Sequence, residues 1–535
     1  MSGTGGVPDP RALGLALHRV QQGRRLLIVL DGAVSEEQVR PVLEAVPDSL
    51  VVVTSRRTLA GLGGTWHLTL DELRPAEAQE LLVAVGGDRM AGDPSAAREI
   101  ARLCGGLPLA LRVAGATLTA RPHWSPARLA GRLADDNAGL DPFVLGDLDV
   151  RAALLVGYRE IGPADRRTFR LLASAPGSGF AVWAVAALLD VPPAAAEQAA
   201  ERLVDARLLT VRRTPGGTPR FSQNRLLRAL AREQLVEEET CGERRLAIER
   251  LCTTYLALAR HADRLLAPGR RPRLRTTNGA DRADRADRAD RAAYGATAAN
   301  IRDTPLHWYE EELDGLVDAV RQAHGAGLWH LVWELADALA GYFEAAALWE
   351  PWALTHELAL DAAGRADRPA ARAAVLHSLG NLAWQQRRTR QALEHHDSAR
   401  AIFFELSDPA GQARCLVGAA DVAVSEGDTA RAAKLYARAS DLHRHRADPR
   451  AQADIHRGLA LVALLRGRTE DALRGLADFV EAAERLGDRR WARFGRRSAE
   501  RLLEHSADQG PGSRPQPLPA VEARPGVWLF GDDTP

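Results

Sequence analysis

An unbroken apolar run, Leu26–Leu30, follows two arginines and stops at Asp31 in RRLLIVLDGA. A run of this kind reads as a buried strand. Ser35, Glu36, Glu37, Val39, Val42 and Leu43 then carry a helical pattern, and Leu50–Thr54 forms a second strand ending at Ser55, Arg56 and Arg57. A third short strand is expected at His67–Leu70. Apolar strands spaced by helices predict a parallel sheet covered on both faces. From Pro75 to about Leu133 the pattern is helical, through AEAQELLVAVGG and PSAAREIARLCGGLPLALRVAGATL. Residues 151–236 hold several helices, then Leu208–Val211, a Thr-Pro-Gly-Gly-Thr-Pro turn and Arg220–Phe221. Helices that close on a small hairpin predict a winged helix.

The last third repeats. Thr389, Thr429 and Thr469 are forty residues apart, as are Ala392, Ala432 and Ala472, and Asp408, Asp448 and Asp488. Gly380, Ala420 and Ala460 recur twelve residues before those alanines, and Gly341 with Ala353 is a looser earlier copy. Small residues at fixed points let two helices of a hairpin approach closely, and stacked hairpins bury a continuous core. The period predicts a tetratricopeptide-type solenoid with longer second helices. Trp329, Trp333, Trp349 and Trp352 fall at helical spacings in its first part and are expected in its core.

Length and composition add limits. At roughly 150 residues per domain, 535 residues suggest three or four domains. Lys+Arg and Asp+Glu balance at 70 each, so no global basic field exists to hold nucleic acid or an anionic membrane. Cys104, Cys241, Cys252 and Cys415 show no CxxC spacing and no disulfide framework, which fits a reducing, cytoplasmic setting. The opening MSGTGGVPDPR lacks the basic and apolar regions of a signal peptide. Leu171–Leu189 is uncharged, but Pro176, Gly177, Ser178 and Gly179 break it into two helices and a turn, so no membrane span is expected. Between the winged helix and the solenoid lie an arginine cluster from Arg264 to Arg275 and four ADR triplets ending at Arg291, read as a solvated linker. The tail from about Gln509 is Pro/Gly-rich and is expected to be disordered apart from the apolar Val527–Phe530.

Asp31 by itself could be no more than a strand-end cap. It gains meaning from VVVTSRR some twenty residues on and from GGLPLAL at Gly105–Leu111. In P-loop NTPases one strand ends in an acid that holds Mg²⁺ or its waters, and the next ends in a polar or arginine sensor. The order VLDGAVSEEQVRPVLEAVP, LVVVTSRRTLAGL, LDELRPAEAQELL, CGGLPLALRVAGATL and LVDARLL resembles the NB-ARC module of STAND-class ATPases, and more closely the AfsR/SARP-type actinobacterial regulators. The resemblance runs from about Gly23 to about Asp488. It implies that Asp31 matches the Walker B acid, that Thr54, Ser55 and Arg56 form the sensor end, and that Pro108 is the GLPL proline lying against adenine. ADP or ATP is then the implied cofactor, with Mg²⁺ at Asp31 only when a nucleotide is bound.

The departures are equally specific. The family's phosphate loop, GxxxxGK(S/T), would precede the Walker B strand. Twenty-five residues precede Leu26, and the one lysine of the chain is Lys434. A strand–loop–helix–strand unit takes roughly 30 residues or more, and Gly3-Thr4-Gly5-Gly6 has neither lysine nor preceding strand. Losing several charge-assisted phosphate contacts, at about 1.5–3 kcal/mol each, weakens nucleotide binding by orders of magnitude. Family members read the nucleotide through a His-Asp pair before the last winged-helix segment. In FSQNRLLRALA, Asn224 and Arg225 stand there, a degenerate sensor with reversed charge. Gly32 follows Asp31, so no second carboxylate is placed to activate water.

Other features favour plain readings. The candidate recognition helix Ala194–Arg207 carries Glu197, Glu201 and Asp205 against Arg202 and Arg207, so its net charge repels phosphate and no direct DNA contact is expected. His395, His396, His443 and His445 lack cysteine or carboxylate neighbours at ligand spacing. The fold class expected is mainly α: a partial α/β P-loop NTPase-like (NB-ARC) domain at 1–72, its helical subdomain at 73–150, a winged helix at 151–240, a helix and linker at 241–300, a tetratricopeptide-type solenoid at 301–508 and a tail at 509–535. The function expected is that of a regulatory protein, ADP-binding by resemblance but hydrolysis-dead and so not an enzyme, that captures a protein partner through residues 301–508. A nucleotide-free scaffold is one alternative. The C-terminal portion of a longer AfsR/SARP-type activator is another. An open sheet edge leaves self-association possible.

Overall fold

The computed structural model describes residues 10–21, 24–135, 138–213, 218–268, 295–443, 449–508, 520–525 and 527–530. The ADR triplets, the arginines beyond residue 268 and His445 lie outside these. The chain is mainly α-helical and divides into two compact units, residues 1–247 and 248–535. Among the described residues no helix is long and apolar enough to cross a membrane.

In the first unit, β1 (Leu27–Leu30) pairs in parallel with β2 (Leu50–Val53), Leu27 opposite Leu50 and Leu30 opposite Val53. The helix Glu36–Ala45 connects them and covers one face, where Val39 packs with Leu59 and Leu62 against Leu30 and Val53. On the other face Leu27, Val29, Leu50 and Val52 are exposed, Leu27 at 67%. The sheet expected to be covered on both faces is thus covered on one. The strand expected at His67–Leu70 does not form. Its alternation offers Leu68 and Leu70 to a face that is absent, and both side chains stay exposed.

Beside the one-turn helix Asp88–Ala91, four longer helices follow, Pro75–Gly86, Pro94–Leu103, Pro108–Ala120 and Pro126–Ala134, each with proline in its first turn, where a missing N–H costs nothing. Leu82, Ile100, Leu111 and Leu118 are fully buried among them. Gly115 allows close approach: a Cβ there would fall 2.7 Å from Val85 Cγ1. A small hairpin, β3 (Val144–Leu145) and β4 (Leu148–Asp149), leads to helices Val150–Glu160 and Pro163–Leu171. The uncharged run becomes a 3-10 turn, Leu172–Ser174, and the helix Val182–Leu189. After the helix Pro193–Asp205, β5 (Thr210–Arg213) and β6 (Pro219–Ser222) form an antiparallel hairpin, with Val211 opposite Phe221. Phe221 is buried and stacks on Phe180 at 6.4 Å. On Pro193–Asp205, Ala196, Ala199, Ala200 and Leu203 are buried, and Arg202 is paired with Asp165 at 2.8 Å.

The second unit is a stack of helical hairpins. Pro369–Gln385 pairs with Thr389–Glu405, Pro409–Ser425 with Thr429–His443, and Pro449–Leu465 with Thr469–Leu486. Their starts repeat every forty residues, matching the sequence period. Ala392, Ala432 and Ala472 are fully buried at the crossings. Trp333 and Trp352 belong to the core, while Trp329 and Trp349 are half-buried at its margin. Within the tail, whose residues 509–519 and 531–535 lie outside the described ones, Ala520–Arg524 is a strand where disorder was expected. β7 (Ala520–Arg524) and β8 (Val527–Phe530) form an antiparallel hairpin, because the apolar Val527–Phe530 finds a strand partner in Ala520–Arg524.

Candidate functional site

Asp31 follows β1 and Thr54 follows β2, so the parallel register brings the two residues side by side. Thr54 Oγ1 donates to Asp31 Oδ1 at 2.5 Å and accepts from Gly32 N at 2.9 Å. Gly32 has φ of +71°, a conformation that glycine takes without strain. Ser55 Oγ accepts from Arg57 N at 3.1 Å. Arg56 extends to Glu160 at 3.2 Å, with both side chains about half exposed. An exposed pair of this kind contributes at most about 1 kcal/mol, so Glu160 directs Arg56 more than it anchors it.

A second cluster forms around the glycine turn. Gly105 and Gly106 have φ of +61° and +67°, and Pro108 then opens its helix. Asn224 caps the helix Arg225–Glu238: its Oδ1 accepts from Leu226 N at 3.0 Å. The same side chain donates through Nδ2 to Gly105 O at 2.9 Å and to Glu72 Oε1 at 3.2 Å. A Cβ on Gly105 would lie 2.7 Å from Asn224 Oδ1, and one on Gly106 would lie 2.7 Å from Leu73 O. Arg225 Nη1 donates to Leu103 O at 3.4 Å, just before the turn, and to Leu133 O at 3.2 Å. Burial pushes the neighbouring Cys104 thiol up to about 12.

The hydrogen bonds of Asp31 and Thr54 stay within the two strand ends, and those of Asn224 stay with the glycine turn, Glu72 and its own helix. The sequence motifs therefore form two clusters. Among the described residues, the first offers toward a magnesium-bound nucleotide one carboxylate, already bonded to Thr54, and two adjacent arginines, Arg56, directed to Glu160, and Arg57. The chain's single lysine, Lys434, is in the other unit. A triphosphate with its cation takes several backbone N–H groups and a lysine on the phosphates, and the described residues of this cluster include no lysine. Glu72 and Glu160 escaped the sequence reading. Neither has a local signature, and their roles arise from contacts 152 and 104 residues away along the chain.

In the solenoid, one of the histidines weighed as ligands, His396, is packed against two glycines. The His396 ring fills a notch between Gly380 and Gly418, where an added Cβ would fall 2.7 Å and 2.5 Å from its Cε1. Forty residues on, Tyr436 meets Gly458 in the same way. Phe404, by contrast, is 72% exposed on the helix Thr389–Glu405.

No family model matches the chain. A regulatory protein AfsR of Streptomyces griseus is 33% identical over 424 residues, 79% of this chain and 40% of that protein. The AfsR of Streptomyces coelicolor is 38% identical over 271 residues, 50% of this chain and 27% of that protein. This chain is similar to the AfsR regulators over much of its length. It spans less than half the length of either. The disease resistance protein UNI of Arabidopsis thaliana is 30% identical over 115 residues, 20% of this chain and 13% of that protein. Among solved structures, a STAND protein with a tetratricopeptide repeat sensor from Pyrococcus horikoshii aligns over 93% of this chain and 74% of its own at 13% identity. Its TM-score of 0.31 is too low to carry an argument.

Proposed function

We propose that this AfsR-like chain is a regulatory protein that captures a protein partner on its helical repeats and does not hydrolyse ATP. The observation that carries the reading is the donor set at the strand ends. Asp31 is bonded to Thr54, Arg56 is directed to Glu160, and the one lysine lies in the solenoid. Charge stabilisation of a transferring phosphoryl group needs preorganised cations aimed at it. Asn224 and Arg225 support the same reading, since both side chains bond protein carbonyl groups. In this reading the front unit is a structural remnant of a nucleotide switch, and ADP adds nothing to its stability.

Stacked helical hairpins present an extended surface, and an exposed aromatic such as Phe404 is the type of residue that anchors a partner. The test is affinity purification of the tagged full chain, with partners identified by mass spectrometry, beside Phe404→Asp and Arg56→Ala variants. Capture that is lost in Phe404→Asp and kept in Arg56→Ala supports the reading. Capture that depends on Arg56 or on added ATP overturns it.

A further inference from the structure

The C-terminal hairpin meets the solenoid through one carboxylate and two backbone carbonyls. Glu522, on β7, accepts from Ser425 Oγ at 2.8 Å through Oε1, and its Oε2 lies 3.5 Å from Arg387 NH1. Its side chain is 8% exposed. Trp384 Nε1 donates to Ser425 Oγ at 2.9 Å and so orients the hydroxyl. Two further bonds reach the hairpin backbone, from Arg387 NH2 to Glu522 O at 3.3 Å and from Gln385 Nε2 to Pro525 O at 3.1 Å.

These groups come from two repeats. Trp384, Gln385 and Arg387 stand at the end of the helix Pro369–Gln385, and Ser425 ends Pro409–Ser425. Helix C-termini carry partial negative charge, so a carboxylate there is disfavoured unless a cation faces it. Arg387 is that cation. Its backbone has φ of +57°, and the two following repeats have glycine at the same place, Gly427 and Gly467, with φ of +79° and +70°. Glycine takes this conformation freely and arginine does not. Ala347, forty residues before, holds the same conformation at φ of +57°, so what sets Arg387 apart is its long charged side chain, which meets Glu522.

We infer that Trp384, Gln385, Arg387 and Ser425 form a receptor for an extended, carboxylate-bearing protein segment, filled in cis by the chain's own residues 520–530. This rests on the reading of the repeats as a protein-capturing surface. The partner it fits carries a glutamate on a strand, whose backbone carbonyls take the bonds now made to Glu522 and Pro525. Such a partner competes with a tethered tail, and tethering raises the effective concentration of the tail to about the millimolar range.

The test uses the full chain and a fluorescent peptide of residues 518–531. Wild type, with its receptor filled, binds the peptide at least tenfold more weakly than the Glu522→Ala chain, whose tail has lost its carboxylate. The double variant Glu522→Ala, Arg387→Ala loses that gain, and so does a peptide carrying Glu522→Gln. Equal binding by wild type and Glu522→Ala, or binding that survives Arg387→Ala, overturns the inference. A melting temperature within a few degrees of wild type shows that each variant is folded. Partner capture unaffected by Glu522→Ala contradicts this receptor alone and leaves the broader capture reading standing. Peptide binding as expected, with no partner captured through the repeats, contradicts the broader reading alone.

Discussion

Asn224 Nδ2 lies 2.9 Å from the carbonyl oxygen of Gly105, so one amide both caps a helix and pins the glycine turn before Pro108. Asn224→Ala removes both bonds. The expected loss is about 1–2 kcal/mol, read by denaturant unfolding. Asn224→Asp keeps the cap, because its carboxylate accepts from Leu226 N, but it sets a negative charge against Gly105 O and Glu72. It is expected to be less stable than wild type at pH 7. The deficit shrinks below about pH 4, where the introduced carboxyl gains a proton and can donate. A variant as stable as wild type at pH 7 contradicts the assigned donor role.

Thiol chemistry reports on the same turn. Cys104 and Cys252 are buried, and burial pushes both thiols up to about 12, whereas Cys241 is exposed. Alkylation of the native chain at pH 8, followed by mass spectrometry, is expected to modify Cys241 first and to leave Cys104 protected. Gly105→Ala, which forces a Cβ onto Asn224 at a positive φ, is expected to speed Cys104 labelling at least tenfold. An unchanged rate contradicts a tight Gly105–Asn224 contact.

The notches of the solenoid set its spacing. Gly418→Ala or Gly458→Ala drives a methyl into His396 or Tyr436 and is expected to cost about 1–3 kcal/mol. Gly364 has open space around its Cα within a helix, so Gly364→Ala is expected to be neutral or to add up to about 1 kcal/mol. Thermal unfolding of the three variants checks the contrast.

The repeats also share a buried polar group. Tyr436 Oη donates to Asp421 Oδ1 at 2.6 Å, and Arg457 lies 3.3 Å from the same oxygen. Burial raises the Asp421 carboxyl above its usual range, with Arg457 opposing the rise. Arg457→Met leaves that carboxyl without its cation and is expected to cost about 3–5 kcal/mol. Tyr436→Phe, which removes one hydrogen bond, is expected to cost about 1–2 kcal/mol. A solenoid that melts at the wild-type temperature with Arg457→Met contradicts this account.

What the sequence made legible was local or periodic. The runs before Asp31 and Thr54 became strands, because continuous aliphatics allow little else. The forty-residue period became hairpins, and Ala392, Ala432 and Ala472 lie buried where small residues were required. The strands expected on either side of residues 214–218 pair as the antiparallel hairpin of β5 and β6. Illegible features depended on partners far along the chain. His67–Leu70 has strand alternation, but its leucines have no covered face to join. Arg56 reads as a phosphate sensor by its place after the strand, while its ion pair with Glu160, 104 residues on, has no local signature. The tail reads as disordered by its Pro/Gly content, and only its contacts with Arg387 and Ser425 show where it goes.

The central claim concerns the strand ends, and phosphate release tests it most directly. The purified full chain is incubated with ATP and Mg²⁺ beside an Asp31→Asn variant, and released phosphate is followed over hours. The same background rate is expected for both, because the Asp31 carboxylate is bonded to Thr54 and Lys434, the one lysine of the chain, belongs to the solenoid helix Thr429–His443. Turnover by the wild-type chain that disappears in Asp31→Asn would contradict the claim.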